Sequence, residues 1–161
     1  MSTTHEILHN IIFNFLNFYD QHTFGRINKH NTMIHITNMH DTDLKYLKRL
    51  DDKILQNYDF IVKLDARRNP NVTNVNHMKK IKVLDATFCC GIDDGTKIIN
   101  LEELHASRNA KITNVNHMTK LKELDVSFDY EINDNRIKHI NLEKLYASNN
   151  QKFKFRGCVC I

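Results

Sequence analysis

Five residues, Asn74-Val75-Asn76-His77-Met78, recur unchanged as Asn114-Val115-Asn116-His117-Met118, 40 residues further on. A chain that repeats itself at such a period builds its core by stacking copies, so the repeat has to be read before anything else. A shorter period lies inside it. Counting from Ile61, positions 1, 4, 6, 9 and 12 hold Ile61, Leu64, Ala66, Asn69 and Val72. The same positions then hold Ile81, Leu84, Ala86, Cys89 and Ile92, and after those Leu101, Leu104, Ala106, Asn109 and Ile112. Two more units follow: Leu121, Leu124, Val126, Asp129 and Ile132, then Leu142, Leu145, Ala147, Asn150 and Phe153. Successive units start 20, 20, 20 and 21 residues apart.

Apolar residues at positions 4 and 6 share one face of an extended strand. Strands of adjacent coils would stack in parallel over one shared core. Position 9 returns the chain inward, where an Asn side chain can satisfy backbone groups left unpaired by the turn. Val75 with Met78, and Val115 with Met118, add inward contacts on a return too short for a full helix, which is expected to be extended or 3₁₀. The second and fourth returns differ from the first and third, as duplication of a two-coil unit would leave them. These spacings resemble the leucine-rich repeat, L-x-x-L-x-L-x-x-N/C-x-L, at the short end of its range. The resemblance covers residues 61–155. It implies an α/β solenoid with parallel strands on a concave face, Cys89 filling the Asn/Cys place of the second unit.

Residues 1–30 stand outside the repeat. Thr3-x-x-Glu6 reads as a capping box. Ile7, Leu8, Ile11, Ile12, Phe15, Leu16 and Phe18 follow at helical spacing, with Phe13 off the stripe. Eight of the twelve residues 7–18 are apolar, so a helix here needs cover on more than one narrow seam. Glu6-Ile7-Leu8, Ile12-Phe13, Leu16, Asp20, Phe24 and Ile27-Asn28-Lys29 resemble the start of an F-box. Thr3-Thr4 stands where that family has Leu-Pro, and the family's following Trp is missing. The resemblance implies that Ile7, Leu8, Ile12, Phe13, Leu16, Phe24 and Ile27 dock onto a Skp1-type adaptor of a cullin ubiquitin ligase. Compact F-box/leucine-rich-repeat proteins of this kind are common in giant viruses, and the 20 asparagines among 161 residues fit an AT-rich source of that sort. The second reading of residues 1–30 is a helical cap that covers the end of the solenoid. Residues 31–60 bridge to the array at 61–161; Met33–Asn38 reads as a degenerate first strand, with helical or turn segments after it.

If the strands lie as the repeat implies, one surface carries positions 5, 7 and 8. Asp65, Asp85, His105, Asp125 and Tyr146 stand at position 5, where aligned acids repel. Arg67 opens position 7. Position 8 holds Arg68, Phe88, Arg108 and Phe128, an aromatic and guanidinium set of the kind that dominates contact hot spots. These ten residues are the expected partner-binding surface.

Other chemistry finds little support. His77 and His117 recur with the repeat and so read as structural. Cys89-Cys90 with Cys158-x-Cys160 lacks zinc-ligand spacing. No P-loop, nucleophile elbow or H-E-x-x-H is present, so neither a cofactor nor catalysis is expected. The net charge is +4, with the charges interspersed, which does not suggest nucleic acid. No stretch reaches membrane-span length and no basic n-region opens the chain. The four cysteines form no disulfide framework, so cytosol or nucleus is expected, or host cytoplasm for a viral protein. Cys158-Val159-Cys160-Ile161 fits a prenylation box loosely, and membrane attachment is expected only if Cys158 is lipidated. The tail also falls where another coil would continue. Taken together, the chain reads as a non-catalytic adaptor that presents a substrate to a Skp1-cullin-F-box ligase. The alternative is a repeat scaffold or inhibitor with no ubiquitin link.

Overall fold

The computed structural model describes residues 38–39, 50–56, 61–129, 131–153 and 159–160. The F-box-like segment 1–30, with Ile7, Leu8, Ile12, Phe13, Leu16, Phe24 and Ile27, lies outside the described residues, as does Cys158.

The repeat folds as a solenoid of parallel strands. β1 (Asn38–Met39), β2 (Lys63–Asp65), β3 (Val83–Asp85), β4 (Glu103–His105), β5 (Glu123–Asp125) and β6 (Lys144–Tyr146) follow one another in a single sheet in sequence order. Leu64, Leu84, Leu104, Leu124 and Leu145 stand directly beside one another, so position 4 forms one column. The three-residue strands are prolonged on both sides. The carbonyls of Val62, Lys82, Glu102 and Lys122 each accept two consecutive amides of the next coil. Beyond the strands, Ala66, Ala86, Ala106 and Val126 donate to Asp85, His105, Asp125 and Tyr146 respectively, at 2.8 Å.

The core is the set of repeat positions. Positions 1, 4, 6 and 12 are buried from Ile61 to Ile132, and Val75, Met78, Val115 and Met118 fill the return side as expected. Leu142 and Leu145 in the last coil are only partly buried. Each buried Leu or Ile contributes roughly 2 kcal/mol from apolar area removed from water. Coil stacking is what supplies that cover, because one 20-residue coil has only one apolar side.

β1 pairs with β2 in register Asn38↔Lys63, which sets the coil before Ile61 at 25 residues instead of 20. The expected first strand at Met33–Asn38 thus meets the described β1 only at its last residue. After it, α1 (Asp52–Leu55) is a single turn capped by Asp51, whose carboxylate accepts the Ile54 amide at 2.8 Å. Between residues 61 and 153 the described returns are extended or turns, with one 3₁₀ turn at Asp134–Arg136. Among the described residues no helix is long and apolar enough to cross a membrane.

β7 (Val159–Cys160) departs from the pattern. It pairs antiparallel with β6, Lys144↔Cys160 and Leu145↔Val159. The chain therefore doubles back onto the last strand, where a further parallel coil was one of the expectations. An antiparallel strand at this place uses backbone groups that an open sheet edge would present to another chain.

Candidate functional site

The strand face and the turn that follows it place the ten expected residues along successive coils. The turn is the same in nearly every coil. Asn69 donates to Ala66 O at 3.1 Å, Asn109 to Ala106 O at 3.0 Å, Asp129 to Val126 O at 3.2 Å and Asn150 to Ala147 O at 3.1 Å. Position 8 is left-handed in all five coils: Arg68, Phe88, Arg108, Phe128 and Asn149 have φ between 56 and 61°. Only Asn149 is a residue that takes this conformation readily. The other four carry roughly 1 kcal/mol or more of backbone strain each, which the turns and coil contacts around them must hold.

The left-handed turn stacks the position-8 side chains on one another. The Arg68 guanidinium lies 4.3 Å from the centre of the Phe88 ring. Arg108 lies 5.6 Å from Phe88 and 4.4 Å from Phe128. The column therefore alternates cation, ring, cation, ring across four coils. Each such contact contributes about 0.5–1 kcal/mol at an exposed site. Sequence alone pointed to Arg108 between two phenylalanines; it did not show that Arg68 closes the far side of Phe88. A shallow depression beside the column is lined by Arg108, Ala110, Phe128 and Asp129.

Position 5 behaves differently from a row of free acids. Asp65, Asp85 and Asp125 each accept the amide two residues on, from Arg67, Thr87 and Ser127, at 3.0, 3.0 and 2.9 Å. These are Asx turns that lead the chain out of the strand. Asp85 also accepts the Thr87 hydroxyl at 2.8 Å. Asp65 is buried and ion-paired with Arg67 at 2.9 Å, so it does not face solvent as expected. Asp85, His105, Asp125 and Tyr146 are half-buried. His105 Nε2 lies 2.7 Å from Glu103 Oε1. The repulsion expected from the column is answered locally, because each carboxylate is held by amide dipoles of its own turn.

Position 9 bears the inward polar ladder. Asn109 Nδ2 donates to Ala86 O at 2.9 Å and Ile92 O at 3.1 Å, while its Oδ1 accepts the Lys111 amide at 3.2 Å. Asn150 repeats this with Val126 O, Ile132 O and the Lys152 amide. Asn69 reaches Leu50 O at 2.9 Å. The second coil requires a correction. Cys89 is exposed, and Cys90 takes the buried place, its Sγ accepting the Ile92 amide at 3.3 Å and lying 3.6 Å from Asn109 Nδ2. The cause is Gly91. Its backbone lies against the preceding coil so closely that a Cβ would stand 2.4 Å from Val72 O and 2.6 Å from Pro70 O. That approach shifts the inward position by one residue. Burial, only partly opposed by the bond from Ile92, pushes the Cys90 thiol up to about 11.

On the return side a clamp recurs with the 40-residue period. Asp52 accepts the Thr73 hydroxyl and the amides of Thr73 and Asn74, and Asp94 accepts the equivalent groups of Thr113 and Asn114. His77 Nε2 meets Leu55 O at 2.9 Å, and His117 Nε2 meets Thr96 O at 2.8 Å. Asn76 and Asn116 reach forward instead, to Gly95 O and Asn135 O. The repeated segment thus joins the coil before it to the coil after it, and both histidines serve that joint. The partner acids stand outside the repeated segment, which is why sequence reading missed the clamp.

At the entry to the strands the charges alternate between coils. Lys82 pairs with Glu102, Lys122 with Glu143 at 3.4 Å, and Lys144 with Glu123 at 2.7 Å. The bond from Lys82 and its charge hold Glu102 below the usual carboxylate range, and the bond from Glu123 and its charge raise Lys144. All are at the surface, where such pairs add little stability. Comparison with protein-family models, with curated proteins and with solved structures found no match to this chain.

Proposed function

We propose that the chain is a leucine-rich-repeat adaptor without catalytic chemistry of its own. Its F-box-like residues 1–30 recruit a Skp1-type protein, and its strand face holds the protein to be presented. The observation that carries this reading is the parallel, 20-residue coil register, which lines up equivalent side chains of successive coils along one surface. Such a surface suits protein recognition, since aromatic and guanidinium groups stand together at position 8. The resemblance of Glu6-Ile7-Leu8, Ile12-Phe13 and Ile27-Asn28-Lys29 to an F-box supports the ligase side of the reading.

The test is co-elution of the full chain with a purified Skp1-type protein, using Ile12→Asp and Phe13→Asp as controls. A stoichiometric complex lost in both variants is expected. A well-folded wild-type chain that never co-elutes rejects the ligase link and leaves a repeat scaffold. Prenylation of Cys158 belongs to this reading only if β7 detaches, because Val159 and Cys160 are paired in the sheet. Mass measurement of the chain expressed in eukaryotic cells decides it.

A further inference from the structure

The position-8 column has a feature that packing alone does not use. Arg67 is spent on Asp65, but Arg68 and Arg108 are engaged only through their faces, on Phe88 and Phe128. Among the described residues neither guanidinium makes a hydrogen bond or ion pair. Both residues are exposed, so the ten N–H donors of their forks (five on each) are open to a ligand. Among the described residues, Asp85 and Asp125 accept the amides of their own turns and form no ion pair with either guanidinium.

We infer that this column binds an acidic peptide in an extended, polyproline-like conformation, with carboxylates three residues apart seated on Arg68 and Arg108. The inference rests on the reading of the strand face as a partner surface. Arg68 and Arg108 belong to coils separated by one other, and at about 4.8 Å per strand their forks stand about 10 Å apart. A polyproline helix rises about 3.1 Å per residue and repeats every three. Residues i and i+3 of such a peptide therefore share one face about 9 Å apart. A β-strand places i and i+3 on opposite faces, so it does not match. A single-stranded nucleic acid would want open ring faces on which to stack its bases. Phe88 has a guanidinium near it from each neighbouring coil, which favours carboxylates at the fork edges over bases on the rings.

The experiment titrates the full-length chain, at low salt, with labelled peptides of equal charge. One carries Glu at i and i+3 in a Pro-rich sequence, one has the glutamates adjacent, one is a helical peptide with Glu at i and i+7, and the last probe is a single-stranded oligonucleotide. Binding of the i, i+3 peptide is expected to exceed that of the adjacent-Glu and helical peptides, and to fall about fivefold in Arg68→Gln and again in Arg108→Gln. Arg108→Lys should also weaken it, because a cation remains but the fork is lost. Equal binding of all peptides, preference for the helical spacing or the oligonucleotide, or indifference to both Arg→Gln variants at unchanged melting temperature overturns the inference. Phe13→Asp separates the two readings: it should abolish co-elution with the Skp1-type protein and leave peptide binding unchanged.

Discussion

Asn109→Ala removes the centre of the inward polar ladder, and its cost can be worked from the contacts. Three hydrogen bonds between nitrogen and oxygen disappear, to Ala86 O, Ile92 O and from the Lys111 amide, besides the longer contact to Cys90 Sγ. Each is worth about 1 kcal/mol net. The side chain is only 1% exposed, so the abandoned groups are poorly placed to recover water. The expected loss is about 3 kcal/mol, or about 10 °C in melting temperature for a chain of this size. Asn109→Asp should cost at least as much, because it turns the donating end of the side chain into an acceptor facing two carbonyls. Asp129 stands at the same repeat position and accepts the Glu131 amide at 2.7 Å. Urea unfolding followed by circular dichroism measures both substitutions of Asn109, with exposed Asn71→Ala as the control. If Asn109→Ala falls within about 1 kcal/mol of that control, the ladder does not hold the coils together as described.

Gly91→Ala should destabilise by about 2 kcal/mol or more, since its Cβ would press on the backbone oxygens of Val72 and Pro70; a neutral effect in the same unfolding assay would show that the second coil can relax. Burial disfavours the charged form of Asp52, but bonds from the Thr73 hydroxyl and the Asn74 and Thr73 amides outweigh it and hold the carboxyl below its ordinary value. A group with a lowered folded value contributes stability above the unfolded range and loses it as pH falls through the folded value. Melting temperature should therefore drop less steeply with acid in Asp52→Asn than in wild type, and parallel profiles would refute the clamp. Thiol labelling mapped by mass spectrometry should modify Cys89 quickly and Cys90 only after unfolding, because Cys90 is buried with its thiol pushed up to about 11; equal rates would reject the shift at Gly91.

The coil register was legible because the apolar positions recur without a gap from Ile61 to Ile132, and burial follows them closely. Val75, Met78, Val115 and Met118 were placed correctly for the same reason. What escaped reading depended on backbone geometry instead of pattern. Cys89 matched the repeat by count, yet the close approach of Gly91 hands the inward place to Cys90. The position-5 acids looked like a free surface, since sequence does not reveal that Asp85 and Asp125 turn back onto the amides of Thr87 and Ser127. The left-handed backbone at position 8 had no signal in Arg, Phe, Arg and Phe; only Asn149 hinted at it. The antiparallel β7 breaks the repeat direction and could not be reached by extending the period.

The proposed division of labour, with residues 1–30 recruiting the adaptor and the strand face holding its partner, is tested most directly by hydrogen exchange of the full-length protein, with and without a Skp1-type adaptor. Protection gained within residues 1–30, with the amides of the strands from Lys63 to Tyr146 unchanged, is the expected result. Protection spread along those strands, or none anywhere at saturating adaptor, would contradict it.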